Sequence, residues 1–196
     1  MFTGIIQTTG HISKIDLNNS NGHFTFKVKN FLLNDVKIGD SISVNGVCLS
    51  VVEKTLDTFS VDISNETMRL TTFSQLKVNN NVNLEKAMAL SDRINGHFVS
   101  GHIDGTGVIR EKRKDGNSTF LLIEFPNDLK KYISKKGSIS IDGVSLTINK
   151  IESNNLGISI IPHTFSGTII SEYKKGTRVN IEVDIIARYL DKLIVK

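Results

Sequence analysis

The sequence predicts an all-β protein in which one small closed barrel is written twice, with a helix at the C-terminal end. Three observations predict it. The chain repeats itself at a fixed offset, its apolar residues alternate at period two beside Asn-Gly and Asp-Gly turns, and only Ile185–Lys196 switch to a helical period. With 196 residues, 39% hydrophobic and 22% charged, the chain has the composition of a folded globular protein and the length for two domains, each with its own core.

A shift of 97 positions lays Ser41-Ile-Ser-Val-Asn-Gly-Val-Cys-Leu49 over Ser138-Ile-Ser-Ile-Asp-Gly-Val-Ser-Leu146 without a gap. The same register puts Gly4 over Gly101, Gly10 over Gly107, Thr67 over Thr164, Val82-Asn83 over Val179-Asn180 and Glu85 over Glu182. Two homologous domains are therefore expected, over residues 1–90 and 98–187, joined near Leu90–Gly96, with residues 185–196 as a C-terminal tail.

Taken in order, Phe24–Val28, Ser41–Val44, Phe59–Ser64 and Val82–Ala87 read as strands, with counterparts at Phe120–Phe125, Ser138–Ile141, Gly157–Ile161 and Val179–Asp184. The Asn45-Gly46 and Asp142-Gly143 dipeptides suit two-residue hairpin turns, whose central residues both need positive φ. Short helical turns are expected at Phe31–Val36 and Asp128–Ile133. Many short strands with two prolines in the whole chain fit a closed barrel per domain. In the tail, Ile185, Ile186, Tyr189, Leu190, Leu193 and Ile194 recur at helical spacing, with Arg188, Asp191 and Lys192 opposite. A helix that short is marginal alone, so it must pack on its own barrels or on another subunit.

Several classes of function drop out. A single cysteine, Cys48, excludes an internal disulfide framework and a cysteine zinc cluster, and points to a reducing, cytoplasmic setting. No apolar run approaches bilayer length, so no membrane span is expected. The isoelectric point near 9.1 reflects only a formal charge of +4. Its basic clusters, Arg110–Lys114 and Lys130–Lys136, alternate with no aromatic residues, which reads as a solvated surface and not as a nucleic-acid site.

The duplication allows an internal comparison. Cys48 lies opposite Ser145, Ile5 opposite His102, Glu66 opposite His163 and Ala87 opposite Asp184, so two sites of shared shape would differ in reactive groups. His11 and His23 sit in polar segments and read as surface residues. His97 and His102 fall in the Gly-rich stretch Asn95–Gly105, at a spacing that fits neither a helical metal pair nor one strand face. Flanking glycines let backbone approach a ligand, which favours a site role for His102. Cys48 reads either as a small buried hydrophobe or as a ligand-facing group. No Ser-His-Asp spacing, phosphate loop or dinucleotide fingerprint occurs.

Met1-Phe-Thr-Gly-Ile-Ile-Gln7, Asn45-Gly-Val-Cys-Leu-Ser-Val51, Gly96-His-Phe-Val-Ser-Gly-His102, Asp142-Gly-Val-Ser-Leu-Thr147 and Val179-Asn-Ile-Glu-Val-Asp184 together resemble the riboflavin synthases of α-chain type, from Met1 to about Asp184. That resemblance implies two six-stranded Greek-key β-barrels related by internal duplication, and a C-terminal α-helix through which three chains assemble. It implies dismutation of two 6,7-dimethyl-8-ribityllumazine molecules by four-carbon transfer, giving riboflavin and 5-amino-6-(ribitylamino)pyrimidine-2,4-dione. No metal and no organic cofactor is implied. Association with lumazine synthase is raised by the same resemblance.

Carried onto this chain, the resemblance implies a first pocket from Gly4, Ile5 and Ile6, Cys48, Leu49 and Ser50, and Asp62, Ile63, Ser64, Asn65, Glu66 and Thr67, bordered by Phe2 and Thr3. The second would use Gly101, His102 and Ile103, Lys136, Ser145, Leu146 and Thr147, and Ile160, Ile161, Pro162, His163, Thr164 and Phe165. A base is needed for the substrate's acidic 7-methyl group, and an imidazole suits it, so His102 is assigned that role with Asp184 orienting or relaying protons. Ser41, Cys48 or a bound water supplies the nucleophile, and His97 and Thr147 complete the implied catalytic set. The rival expectation is a non-catalytic lumazine or flavin carrier of the same fold. That relative lacks the histidine pair and the cysteine, whereas His97, His102 and Cys48 are all present here.

Overall fold

The computed structural model describes residues 1–18 and 21–194. The first copy runs β1 (Thr8–Asn18), β2 (Asn21–Val28), β3 (Ser41–Val44), β4 (Val47–Lys54) and β5 (Thr58–Ile63), then a one-turn helix α1 (Asn65–Leu70), then β6 (Asn81–Lys86). Its strands close in the order β1-β2-β5-β4-β3-β6, with β6 pairing back onto β1. Inward residues alternate along β2, where Phe24, Phe26 and Val28 are buried between polar neighbours.

The second copy is β7 (Gly105–Asp115), β8 (Ser118–Glu124), β9 (Ser138–Ile141), β10 (Val144–Thr147), β11 (Lys150–Glu152), β12 (Asn155–Ile160), α2 (Pro162–Gly167) and β13 (Arg178–Val183). Here the expectation of two six-stranded barrels is corrected. The second sheet has seven strands and is open, in the order β10-β9-β13-β7-β8-β12-β11. The cause is local. In the first copy, β4 passes through a bulge between Val51 and Glu53 and stays one strand. In the second, Asn149 occupies the position of Val52, and its side-chain oxygen accepts the Ser159 N–H at 2.9 Å. A side chain replaces a ladder bond, and the strand divides into β10 and β11.

Phe31–Val36 is not helical; it is an irregular turn that buries Phe31, Leu33 and Val36. Asn127–Tyr132 forms a 3-10 helix, close to the expected 128–133 turn. The tail forms α3 (Ile185–Ile194); Val195 and Lys196, which the helical period included, lie outside the described residues.

The two copies meet by exchanging their N-terminal segments. Phe2 and Val99, equivalent positions, pair as an isolated antiparallel bridge with N–H···O distances of 2.8 and 3.1 Å. Ile6 packs on the second core and Ile103 on the first. The two hairpin turns abut: Gly46 and Gly143 have φ of +81° and +82°, and a Cβ on Gly46 would sit 2.6 Å from the Gly143 nitrogen. Buried Asn83 and Asn180 tie the seam. Asn83 donates to the Asp142 carbonyl at 2.9 Å and accepts the Ile169 N–H; Asn180 donates to the Asn45 carbonyl at 2.8 Å and accepts the Thr72 N–H.

Candidate functional site

The exchange brings the two copies together at two equivalent places, around Cys48 and around Ser145, where each copy supplies part of a candidate cleft. In the first, β4 presents Cys48, α1 presents Glu66 and Thr67, and the wall is Gly101, His102 and Ile103 from the second copy, around a cavity of about 350 Å³. The Cys48 N–H donates to the Gly101 carbonyl at 2.9 Å. Gly101 has φ +82°, and a Cβ there would lie 2.5 Å from the Cys48 Cβ, so glycine is required for so close an approach. The mirror arrangement puts the Ser145 N–H 2.8 Å from the Gly4 carbonyl, with a Gly4 Cβ 2.6 Å from the Ser145 Cβ. The expected grouping is therefore corrected: Gly4, Ile5 and Ile6 accompany Ser145, and Gly101, His102 and Ile103 accompany Cys48.

Two buried carboxylates hold these walls. Glu85 on β6 accepts the Thr3 N–H and hydroxyl, each at 2.7 Å, and the Gly4 N–H at 3.1 Å. Glu182 on β13 accepts the Ser100 N–H and hydroxyl, each at 2.6 Å, and the Gly101 N–H at 2.9 Å. Burial pushes both carboxyls above their ordinary range, and the donated hydrogen bonds oppose that shift. In the sequence these glutamates stand only as a matched pair in the register of the repeat. The available signal was a polar pair, Asn and Glu, inside strands whose central residues are all buried.

The clefts differ in chemistry. The first has the His102 imidazole, which is exposed, and the half-buried Cys48 thiol. The second has Ile5 and Ser145 in those places, with His163 and Thr164 on α2. His97 stands just before the second copy, on the segment that crosses to the first. Its Nδ1 lies 2.7 Å from the Ser145 hydroxyl, its Nε2 is buried without a hydrogen-bond partner, and burial pushes its pKa down against the nearby Asp184 charge. Asp184 thus stands with His97, and its Oδ1 accepts the Ile186 N–H at 2.9 Å at the start of α3. Among the described residues, no hydrogen bond joins Asp184 to His102.

The remaining implied residues fall into three groups. Phe2, Leu49, Ile63, Leu146 and Ile160 turn their side chains into packed interior. Ser64, Asn65, Ile161 and Pro162 open the two short helices; Ser64 caps α1 by accepting the Thr67 N–H at 3.2 Å, and Pro162 begins α2. Ser41 faces Ser50 across β3 and β4, as Thr147 faces Ser138 across β10 and β9, and neither Ser41 nor Thr147 lines the Cys48 cavity. Asp62 is paired with His23 at 2.7 Å in a separate cleft. Phe165 carries the Lys112 ammonium 4.9 Å over its ring. Lys136 takes φ +71° where the first copy has Gly39, and its N–H donates to the Ile148 carbonyl at 2.8 Å. Among the described residues, no group of three or more His, Cys, Asp or Glu side chains is arranged to hold a metal.

Comparison with known proteins gives a consistent pattern. The lumazine binding domain family matches the chain twice, over residues 3–87 and 100–184. Riboflavin synthase of Photobacterium phosphoreum is 45% identical over 194 residues, covering 99% of this chain and 89% of that protein. The Bacillus subtilis riboflavin synthase is 43% identical over 196 residues, covering 100% and 91%. Among solved structures, LumP complexed with 6,7-dimethyl-8-(1'-D-ribityl) lumazine superposes with a TM-score of 0.85 at 30% identity, covering 93% of this chain and 99% of that one. LumP complexed with riboflavin superposes with a TM-score of 0.87.

Proposed function

The chain belongs to the lumazine-binding riboflavin synthase family, and from that premise we propose how it performs the dismutation of two 6,7-dimethyl-8-ribityllumazine molecules to riboflavin and 5-amino-6-(ribitylamino)pyrimidine-2,4-dione. The observation that carries the reading is one crossed contact built twice, Gly101 on Cys48 and Gly4 on Ser145, with an imidazole and a thiol at one place and an isoleucine and a serine at the other. A reaction between two copies of one molecule needs two like sites, and a transfer in one direction needs them to differ. Holding both reactants together contributes an effective molarity on the order of 10⁵ M or more.

In this reading the main chain of Cys48–Ser50 and Ser145–Thr147 meets the polar edges of the two heterocycles. Thr67 and Thr164, at equivalent places on α1 and α2, serve the ribityl chains. His102 takes the proton from the 7-methyl group of one lumazine. The nucleophile that adds to the other ring comes from within reach of that imidazole, which favours Cys48 or a water beside it over Ser41. Asp184 acts through His97 and Ser145 on the second cleft.

The active centre forms where the first cleft of one chain faces the second cleft of its neighbour in a homotrimer. Supporting this, α3 is anchored by its polar side: Arg188 bonds Asp104 at 2.7 and 2.8 Å, and Asp191 pairs with Lys131. Its apolar side is left open, with Tyr189 64% and Leu193 75% exposed. Removing residues 186–196 is expected to lower the oligomeric mass, measured by light scattering; an unchanged mass contradicts the role of the helix.

Mixing the purified protein with 6,7-dimethyl-8-ribityllumazine tests the function itself. Growth of the riboflavin spectrum is the expected result. A stable bound lumazine without conversion would identify a carrier instead.

A further inference from the structure

We propose that Glu182 and Glu85 are crossed positioning residues: each fixes the loop that completes the cleft formed mainly by the other copy. The geometry is the same in both directions. Glu182 belongs to the second copy and gathers Ser100 and Gly101 on its two carboxylate oxygens. The Ser100 hydroxyl in turn accepts the His102 N–H at 3.2 Å, and the Gly101 carbonyl accepts the Cys48 N–H at 2.9 Å. One carboxylate thus orders three consecutive residues, and the last of them presents the imidazole to the first cleft. Glu85 does the same for Thr3, Gly4 and Ile5, whose N–H reaches the Thr3 hydroxyl at 3.3 Å, and so serves the cleft around Ser145.

These carboxylates are 1% and 2% exposed, so neither touches substrate. The backbone partners are donors and the hydroxyls can donate, a set that an ionised carboxylate accepts in full. A glutamine keeps one accepting oxygen but turns an amide N–H toward a backbone N–H. The inference rests on the reading that the clefts bind the substrate, and it adds that each copy sets the geometry of the other's site.

Cys48 is the only cysteine in the chain, so a thiol reagent reports on the first cleft alone. The experiment is the rate of Cys48 alkylation by iodoacetamide in the ligand-free protein, for the native chain, Glu182→Gln and Glu85→Gln, with thermal midpoints measured alongside. Glu182→Gln is expected to change the rate by about tenfold, the equivalent of one lost buried charge-assisted hydrogen bond, while Glu85→Gln leaves it near the native value. Equal changes in both variants overturn the proposal, because a general loss of stability acts on Cys48 from either copy. If the glutamine variants do not fold, Ser100→Ala and Thr3→Val, which delete the hydroxyl link between each carboxylate and its loop, decide by the same contrast. Repeating the reaction with riboflavin present separates the two readings. Loss of protection in Glu182→Gln alone supports both, whereas an absence of protection in the native chain removes the substrate reading and leaves the positioning result standing.

Discussion

The two copies share one fold and fill it differently. Phe24, Phe26, Phe59 and Phe73 cluster in the first core with ring centroids 5.1 to 6.5 Å apart, Phe26 stacked on Phe59 and Phe73 edge-on to Phe24 and Phe26. The equivalent places in the second core are Leu121, Ile123, Leu156 and Ile170, all fully buried. Interior side chains have been exchanged wholesale while the inward positions stayed apolar and buried, as cores allow when the hydrophobic patterning is kept. The seam behaves otherwise. Gly4 and Gly101, Gly46 and Gly143, Asn83 and Asn180, Glu85 and Glu182 are the same residue in both copies. A core tolerates any apolar filling that fits, whereas a close backbone approach or a carboxylate with three donors has one solution. Where the copies differ at the clefts, at His102 against Ile5 and Cys48 against Ser145, the difference is chemical and not a matter of packing.

That contrast can be broken at several points. The largest effect is expected at the cleft chemistry. His102→Gln should lower turnover by about 100-fold or more, the usual worth of a general base, with riboflavin affinity nearly unchanged. Turnover close to the native rate would remove His102 from the reaction. Next come the glycines of the crossing. Gly101→Ala and Gly4→Ala each place a Cβ within 2.6 Å of the facing side chain, and each should abolish ligand binding at one cleft of two, as counted by fluorescence titration.

The cores should respond less. Phe26→Ile, which imports the second copy's residue, should lower the unfolding free energy by about 1–3 kcal/mol, and Ile123→Phe should be destabilising by overpacking. Neutrality of either swap would mean that the cores are interchangeable one residue at a time.

A pH-dependent effect separates Asn45 from Asp142. Burial pushes the Asp142 carboxyl up to about 7, while it accepts the Tyr173 hydroxyl at 2.5 Å and the Asn180 N–H at 2.7 Å. The folded-state value lies above the ordinary 3.8, so the folded chain binds the extra proton between those values. Stability should therefore fall as pH rises through that window and level off above it. Asp142→Asn, which copies Asn45, should flatten that part of the thermal midpoint against pH profile.

Much of this molecule is legible in its sequence, for identifiable reasons. Ser41–Val44 and Ser138–Ile141 can be bounded to the residue because period-two alternation runs straight into a turn dipeptide that needs positive φ, and the strands have these bounds. The tail helix announces itself by an apolar face. The six-residue α1 and α2 bury no residue, so they carry no periodic signal, although Thr67 and Thr164 ride on them. Asn149 hides the opening of the second sheet, since nothing in a linear reading says that its carboxamide will displace a ladder bond. The crossing is hidden for a deeper reason. Chain order groups Gly4 with the copy it belongs to, and only tertiary pairing of Phe2 with Val99 sends it across to Ser145. The implied residues were therefore nameable one by one, while their partition between the clefts was not.

The central claim is that unlike clefts from two different chains face one another across the reacting pair. Its most direct test is complementation by co-expression of Gly101→Ala, in which the first cleft is blocked, with Gly4→Ala, in which the second is blocked, each purified chain alone being inactive. Mixed assemblies contain an intact first cleft on one chain facing an intact second cleft on its neighbour, and riboflavin formation should return. Mixed assemblies that bind riboflavin yet stay as inactive as their separate components would contradict the account.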